Sequence, residues 1–370
     1  MSDTASIIFH HPFPVGPNGA SGSKVRPYQM LKAFESLGFE VESVTGHLNN
    51  RVAAVERLTA EIRRGRRFDF AYSESHTLPT PLTEPHHLPV RPNLDHSFLS
   101  RIKSAGVPVG LFYRDVNWRF DQFRVLYPGW KRHIATLFYR HDWRSYVRSV
   151  DHLFLPSLKM APALPTPWPL DKLSALPPGV ARWPAKRREP SQSARALHVI
   201  YVGGVTPPLY DLTPLFAALN AAPETRLTLC CRPDEWRRAG PQYRVPVNVS
   251  IVHASGKELQ RIYEHADLAA ILWKPHPYLS FAAPVKLFEA IEYGLPIVTS
   301  PGTETACFVQ REGIGWTCTS PEEFGRLMRS LAERPQKLAV AYQRAVDAAR
   351  RNSWQLRAQQ VSDTLREVRS

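Results

Sequence analysis

The feature that most restricts the fold occurs twice in the chain. A short apolar run ends in a glycine-containing turn, which feeds a segment of helical period. From Ser6 to His10 the chain is apolar, then comes a loop from His11 to Ser23 holding Gly16, Gly19 and Gly22, then a helical segment from Val25 to Leu37 stopped at Gly38. From Leu197 to Val202 it is apolar again, followed by Gly203 and Gly204 and, past Asp211, another helix. Apolar runs without alternation belong to strands buried on both faces, which is the environment of a parallel sheet covered by helices. Two such openings imply two α/β halves, each a parallel sheet wound with helices. Length agrees: 370 residues exceed what one core supports, so two domains of about 180 residues follow. We set the first at residues 1–180 and the second at 195–350. The proline-rich, basic stretch from Val180 to Ala194 is read as the linker.

Further strands are read from Phe39 to Val44, Phe68 to Tyr72, Val107 to Tyr113, Asp151 to Pro156, Arg226 to Cys231, Val249 to His253 and Leu268 to Trp273. A helix is read from Ala53 to Arg64. Open α/β sheets bind ligands beyond the carboxyl ends of their strands. The polar residues delivered there are therefore the site candidates: Glu74 and His76, Arg114 and Asp115, Arg232, and His253. Asp115 is the leading catalytic base, since a carboxylate at a strand end can take a proton from an attacking hydroxyl. Glu74 is a second catalytic candidate. Glycine turns admit an anion or sugar close to the backbone, which makes Gly19, Ser21, Gly22, Gly203 and Gly204 binding candidates. The spacing G-x-x-G-x-x-G in the first loop is not that of a dinucleotide fold and speaks against NAD.

The densest chemistry lies from Pro284 to Gly294, ahead of the apolar run Leu295 to Val298. Lys286 and Glu289 are three residues apart, so on a helix they share a face one turn from each other. An ordinary surface ion pair has the same spacing. A lysine in the first turn adds its charge to the positive helix end, which suits a phosphate, and a glutamate one turn later accepts hydroxyl hydrogen bonds, which suits a ribose. Gly294 is placed to close the helix.

This stretch, preceded by a strand and by the loop ending at Pro284 and Val285, resembles the donor-binding signature of nucleotide-sugar glycosyltransferases of the GT-B fold. The segments from Phe112 to Phe120, Tyr139 to Trp143 and Val150 to Ser157 resemble glycosyltransferases of bacterial capsule and exopolysaccharide assembly. The resemblance implies two Rossmann-like parallel-sheet domains facing across a cleft, with residues 351–370 forming a helix that crosses back to the first. It implies that Lys286 holds a donor diphosphate and Glu289 its ribose, with Gly203, Gly204, Arg232, His253, Thr303 and Glu304 nearby. On the acceptor side it places Gly19, Ser21, Gly22, His76, Arg114 and Trp118. Many retaining members carry a second glutamate eight positions before Glu289; that position is Phe281 here, so inversion and retention both stay open.

A formal charge of +14 and a pI near 9.8 call for anionic partners. Arg63, Arg64, Arg66 and Arg67 form one basic cluster, and the segment from Trp118 to Arg148 interleaves cations with aromatic rings. That mixture suits an anionic membrane surface, and the absence of a nucleic-acid-binding motif speaks against nucleic acid. No apolar stretch reaches the length of a membrane span. Met1 to Ser6 lack a signal-peptide pattern, so the expectation is a cytoplasmic protein that can sit peripherally on the inner membrane face. Cys230, Cys231, Cys307 and Cys318 have neither metal nor disulfide-framework spacing. Without a D-x-D motif the expectation is no metal and no cofactor beyond the donor. The functional expectation is transfer of a sugar from a nucleotide-diphosphate donor, UDP first, to a hydroxyl of a saccharide or lipid-linked acceptor. A nucleotide-sugar epimerase of the same fold and a basic lipid- or nucleic-acid-binding module are the alternatives.

Overall fold

The middle strands of the chain are short apolar runs buried along their length, such as Val109–Phe112 and Leu268–Ile271. A computed structural model of the chain describes residues 5–17, 22–121, 123, 129–184 and 196–369. It divides into two units, Met1–Pro178 joined by Trp354–Ser370, and Gly179–Ser353.

In the first unit β1 (Ser6–His10) leads to α1 (Gly22–Ser36), β2 (Glu40–Val44), α2 (Leu48–Arg63) and β3 (Phe70–Glu74). Then come α3 (Leu94–Ser104), β4 (Val109–Phe112), α4 (Gly129–Ser149), β5 (His152–Leu155) and β6 (Leu173–Ala175). All pairings are parallel, in the order β2-β1-β3-β4-β5-β6. Ile7 lies between Val41 and Phe70, so β1 is an interior strand, and the strand order reverses between β1 and β3.

The second unit runs β7 (His198–Val202), α5 (Thr213–Asn220), β8 (Arg226–Cys230), α6 (Pro233–Ala239), β9 (Val249–Val252), α7 (Gly256–His265) and β10 (Leu268–Ile271). It continues with α8 (Val285–Glu292), β11 (Ile297–Thr299), α9 (Glu304–Glu312), β12 (Gly315–Thr317), α10 (Pro321–Glu333) and α11 (Pro335–Arg351). The order β12-β11-β10-β7-β8-β9, all parallel, is the doubly wound arrangement with its reversal between β7 and β10. Its core draws on every strand of the middle of the sheet: Val199, Leu227, Leu229, Leu268, Ile297 and Val298 are buried.

A last helix, α12 (Trp354–Arg369), returns to the first unit. Its Trp354, Ala358, Val361 and Leu365 join Ile7, Phe9, Tyr72, Phe112 and Phe154 in one core. Gly110 of β4 is the reason it can lie so close. A Cβ there would stand 2.8 Å from Leu365 Cδ1 and 2.9 Å from Phe154 Cε2.

Several sequence readings shift. The segment from Val180 onward is not all linker: Val180 is fully buried, pairs in parallel with Ser353, and donates its N–H to Asn352 O at 2.8 Å. The rest of the linker reading, residues 185–195, lies outside the described residues. The basic cluster is partly neutralised, since Arg66 pairs with Glu40, Glu42 and Glu61 at 3.0, 2.7 and 2.6 Å. Gly294 does close α8. It has φ 69°, its N–H reaches Ile291 O at 2.9 Å, and Leu295 N–H reaches Ala290 O at 3.1 Å, a Schellman pair.

Candidate functional site

In the second unit, α8 follows β10 and so begins at the carboxyl side of the sheet. Pro284 precedes it in extended conformation and supplies no side-chain cap to the positive end of the helix. Lys286 Nζ stands 2.8 Å from Glu289 Oε2, and the two side chains are 30% and 26% exposed. Glu289 is steadied from behind: Tyr263 OH donates to the same oxygen at 3.3 Å, and the Tyr263 ring stacks on Tyr293 at 4.7 Å. Burial, then the charge of Glu289, raises the Tyr263 phenol well above its usual range, so it stays a donor. The Lys286 and Glu289 charges both reach Cys230 at the end of β8, which puts the pair beside that strand end.

The loop after β7 is held by a residue that sequence reasoning did not single out. Glu235, buried on α6, accepts Val205 N–H at 2.9 Å and Thr206 Oγ1 at 3.0 Å through one oxygen. Its other oxygen takes Arg232 Nη2 at 2.9 Å. Arg232 is thus already paired within one turn, and its first role is to balance Glu235 rather than to stand as an isolated cation. Gly204 also has a structural reason: a Cβ would sit 2.5 Å from Tyr210 Cδ2 and 3.1 Å from Glu235 Oε1. Tyr201 OH donates to Gly204 O and itself accepts Trp273 Nε1 at 3.0 Å. Gly203 borders the same tyrosine. His253 donates Nδ1–H to Cys231 O at 2.9 Å, since a carbonyl can only accept. Thr303 is the N-cap of α9, accepting Ala306 N–H at 3.0 Å, and Glu304 opens that helix. The Thr303 hydroxyl, predicted to meet the donor, is spent on the cap. Phe281 is buried against Tyr278.

In the first unit the strand ends at the β1/β3 reversal gather charged side chains. Glu74, with no exposed surface, meets Arg26 Nε at 3.3 Å, Arg114 Nη2 at 3.2 Å and Tyr72 OH at 2.8 Å. This corrects the reading of Glu74 as a catalytic group. A carboxylate enclosed by two guanidinium groups and a phenol is a positioning residue that binds β3, α1 and β4 together. Arg114 is turned the same way, its Nε donating to Ser75 O at 3.3 Å. Asp115 is half-buried, with Oδ1 accepting Asn117 N–H at 2.8 Å.

Two neighbouring histidines have opposite tautomers. His11 donates Nδ1–H to Glu74 O at 2.9 Å, leaving its lone pair on Nε2. Burial holds it well below the usual imidazole range, so it is neutral. His76 accepts Leu78 N–H at Nδ1, 3.0 Å away, so its proton is on Nε2. Burial, then the charges of Arg114 and Lys24, lower it to about 4. Beside them His10 bridges Ser73 Oγ at 2.8 Å and Asp95 at 2.9 Å, and Arg51 joins Asp95 to Glu84. His11 and Arg26 were missed in the sequence. The signal for His11 was present, a histidine pair closing the first strand ahead of a glycine loop. Gly22 begins α1; Gly19 and Ser21 lie outside the described residues. Trp118 stacks on Tyr139 at 5.4 Å and lines a groove of about 380 Å³ with Arg119, Phe120, Arg132, Leu137 and Arg140.

No family model and no curated protein sequence matches the chain. Solved structures do, along its whole length. WaaG, a glycosyltransferase involved in lipopolysaccharide biosynthesis, is 16% identical, with 97% of this chain and 98% of that one covered at a TM-score of 0.54. HepE of Anabaena, solved in complex with UDP-glucose, is 13% identical over 97% and 99%, with a TM-score of 0.59. The sucrose-phosphate synthase of Thermosynechococcus elongatus is 13% identical over 98% of both, with a TM-score of 0.62. The chain has the GT-B fold. That fold supplies the two six-stranded parallel sheets seen here, one in each unit. Among the described residues no helix is long and apolar enough to cross a membrane.

Proposed function

We propose that this GT-B chain transfers a sugar from a nucleotide-diphosphate donor to a hydroxyl of a saccharide or lipid-linked acceptor. The observation that carries the reading is the Lys286–Glu289 pair, one turn apart in an uncapped helix at the carboxyl side of a doubly wound sheet. In this reading Lys286 leaves Glu289 for the donor diphosphate and, with the α8 dipole, meets the charge that develops on the leaving nucleotide. Glu289, still held by Tyr263, accepts the ribose hydroxyls. No divalent ion is needed for that neutralisation. The UDP-glucose complex of HepE supports UDP as the nucleotide. Gly203, Gly204, Arg232 and His253 border the donor, with Pro284, Val285, Thr303 and Glu304 at the helix entries. Two groups at the strand ends of the first unit can take the acceptor proton, Asp115 and the neutral His11, whose Nε2 carries the lone pair.

The acceptor side also has a surface suited to a membrane. Trp130, Ile134 and Leu137 of α4 are exposed at helical spacing beside Lys131, Arg140 and Arg144, a pattern that settles on anionic headgroups. A lipid-linked acceptor in the synthesis of a surface polysaccharide fits it, with the protein peripheral on the cytoplasmic face.

The test is a thermal-shift screen across nucleotide sugars, followed by incubation of the best donor in labelled form. A donor that raises the melting temperature and passes its label to an added acceptor is the expected result. A changed sugar without any acceptor would instead mean an epimerase, and no shift with any nucleotide sugar would end the proposal.

A further inference from the structure

We propose that the carboxyl ends of β1, β3 and β4 form a subsite for an anionic group, so that the acceptor carries a phosphate or a carboxylate. This rests on the reading of the first unit as the acceptor half, and it adds the chemical class.

The argument begins with charge. Arg26 is 1% exposed, and among the described residues its only ionic contact is Nε to Glu74, at 3.3 Å; its two terminal nitrogens are buried with no partner at hydrogen-bond geometry, the neutral Tyr72 phenol being the one other polar side chain that acts on the guanidinium. The guanidinium carbon lies over Phe112, 3.5 Å from the ring centre, with Trp354 at 5.5 Å. A buried cation with unfilled donors is costly unless another anion is meant to share it. Glu74 cannot neutralise it alone, because Arg114 claims the same carboxylate. The counter-charges near this cluster are accounted for: Asp115 acts on Arg114, and Asp95 and Glu84 are taken up by Arg51 and His10.

Further donors act at the same strand ends. Lys24 is exposed, lies over the Phe13 ring at 5.8 Å, and its charge reaches His76, which stacks on the same ring at 4.8 Å. The charges acting on His76 come from Arg114 and Lys24, both positive. The tautomer follows from geometry alone: with Nδ1 taken by Leu78 N–H, His76 presents Nε2–H as a donor. A neutral N–H, an ammonium and the guanidinium of Arg114, which shares Glu74 with a second, buried guanidinium, form a donor set for oxygen anions and not for a neutral hydroxyl.

The test uses the full chain with saturating UDP, so that the phosphate-binding end of α8 is filled. Glucose, glucose 6-phosphate and glucuronate are titrated separately by calorimetry. At least one anionic sugar is expected to bind more tightly than glucose, and which one does so separates phosphate from carboxylate. Lys24→Ala, at an exposed position, is expected to weaken that binding about tenfold, the worth of one charge-assisted hydrogen bond. Arg26→Met is expected to abolish the preference for the anion, with circular dichroism reporting whether the variant is folded; Lys24→Ala decides the matter if it is not. Equal affinity for glucose and both anions, or unchanged anion binding in Lys24→Ala, overturns the proposal. UDP binding is measured on the same protein beforehand, so a failed donor reading is told apart from a failed anion subsite.

Discussion

Replacing Lys286 by alanine separates a binding residue from a surface ion pair. In the unliganded chain the ammonium is 2.8 Å from Glu289, but both side chains are about a quarter to a third exposed. Such pairs contribute less than about 1 kcal/mol, so Lys286→Ala should lower the melting temperature by only about 1–2 °C. Ligand binding is different in scale. An ammonium donating to a diphosphate is worth about 1.5–3 kcal/mol, which converts to a roughly 10- to 150-fold rise in the Kd for UDP. Glu289 supplies the internal control. Freed of Lys286 it keeps the Tyr263 hydrogen bond, so its geometry toward a ribose should survive. Glu289→Gln should spare the diphosphate and erase the preference for UDP over 2′-deoxy-UDP. Calorimetry on the wild type, both single variants and the double variant gives the cycle directly. A Kd for UDP that stays within about twofold of wild type in Lys286→Ala refutes the reasoning, and so does a loss of many degrees in melting temperature, which would make the pair a structural clamp.

Acid should destabilise the protein through its neutral histidines. His76 and His152 are both lowered to about 4 by burial, and His11 lies well below the usual range. The unfolded chain binds protons near pH 6.5 and the folded chain does not. Stability is therefore full above about 6.5 and falls as the pH drops toward 4, by up to about 3 kcal/mol for His76. Urea midpoints at pH 7 and 4.5 measure this, and a His76→Gln variant with an unaltered pH slope would contradict it. Gly110→Ala should cost about 1–3 kcal/mol by driving a methyl group into Leu365 and Phe154. Adding Leu365→Ala should recover part of that loss, and strictly additive effects in urea denaturation would argue against the packing of α12 on β4. Transfer activity should persist in EDTA, because Lys286 and the α8 terminus carry the neutralisation. Activity lost to EDTA and restored by manganese would overturn that assignment.

What could be read from the sequence was what local pattern determines. Strands buried on both faces announce themselves as unbroken apolar runs, so β1, β4, β7 and β10 fall where Ile7, Leu111, Ile200 and Ala270 stand in such runs. Lys286 and Glu289 were visible because helix geometry alone joins residues three apart. Arg26 and Glu235 were invisible for the opposite reason. Each has its meaning through partners on other elements, Glu74 for one and Val205 for the other, and no periodicity reports those meetings. The segment from Trp118 to Arg148 shows the intermediate case. Its composition read as one basic and aromatic surface, yet α4 sorts it: Tyr139, Trp143 and Tyr146 are buried, while Trp130, Ile134 and Leu137 face solvent.

The two units solve one problem in the same way. A parallel sheet exposes loops at its carboxyl ends, and a loop that must bind a ligand cannot also be tied down by the ligand before it arrives. In the second unit Glu235 does the tying, taking two donors from the loop after β7 and two from Arg232. In the first unit Glu74 takes Arg26 from α1 and Arg114 from the end of β4. Each carboxylate is buried, so each interaction is strong and its loss would leave an unpaired group in low dielectric. The clamps differ in what remains over. Glu235 leaves its loop satisfied. Glu74 is one anion set between two guanidinium groups, and among the described residues the terminal nitrogens of Arg26 have no anionic partner. The first unit is therefore both preorganised and electrostatically incomplete, and of the two strand-end clusters it is the one whose clamp itself asks for an anion.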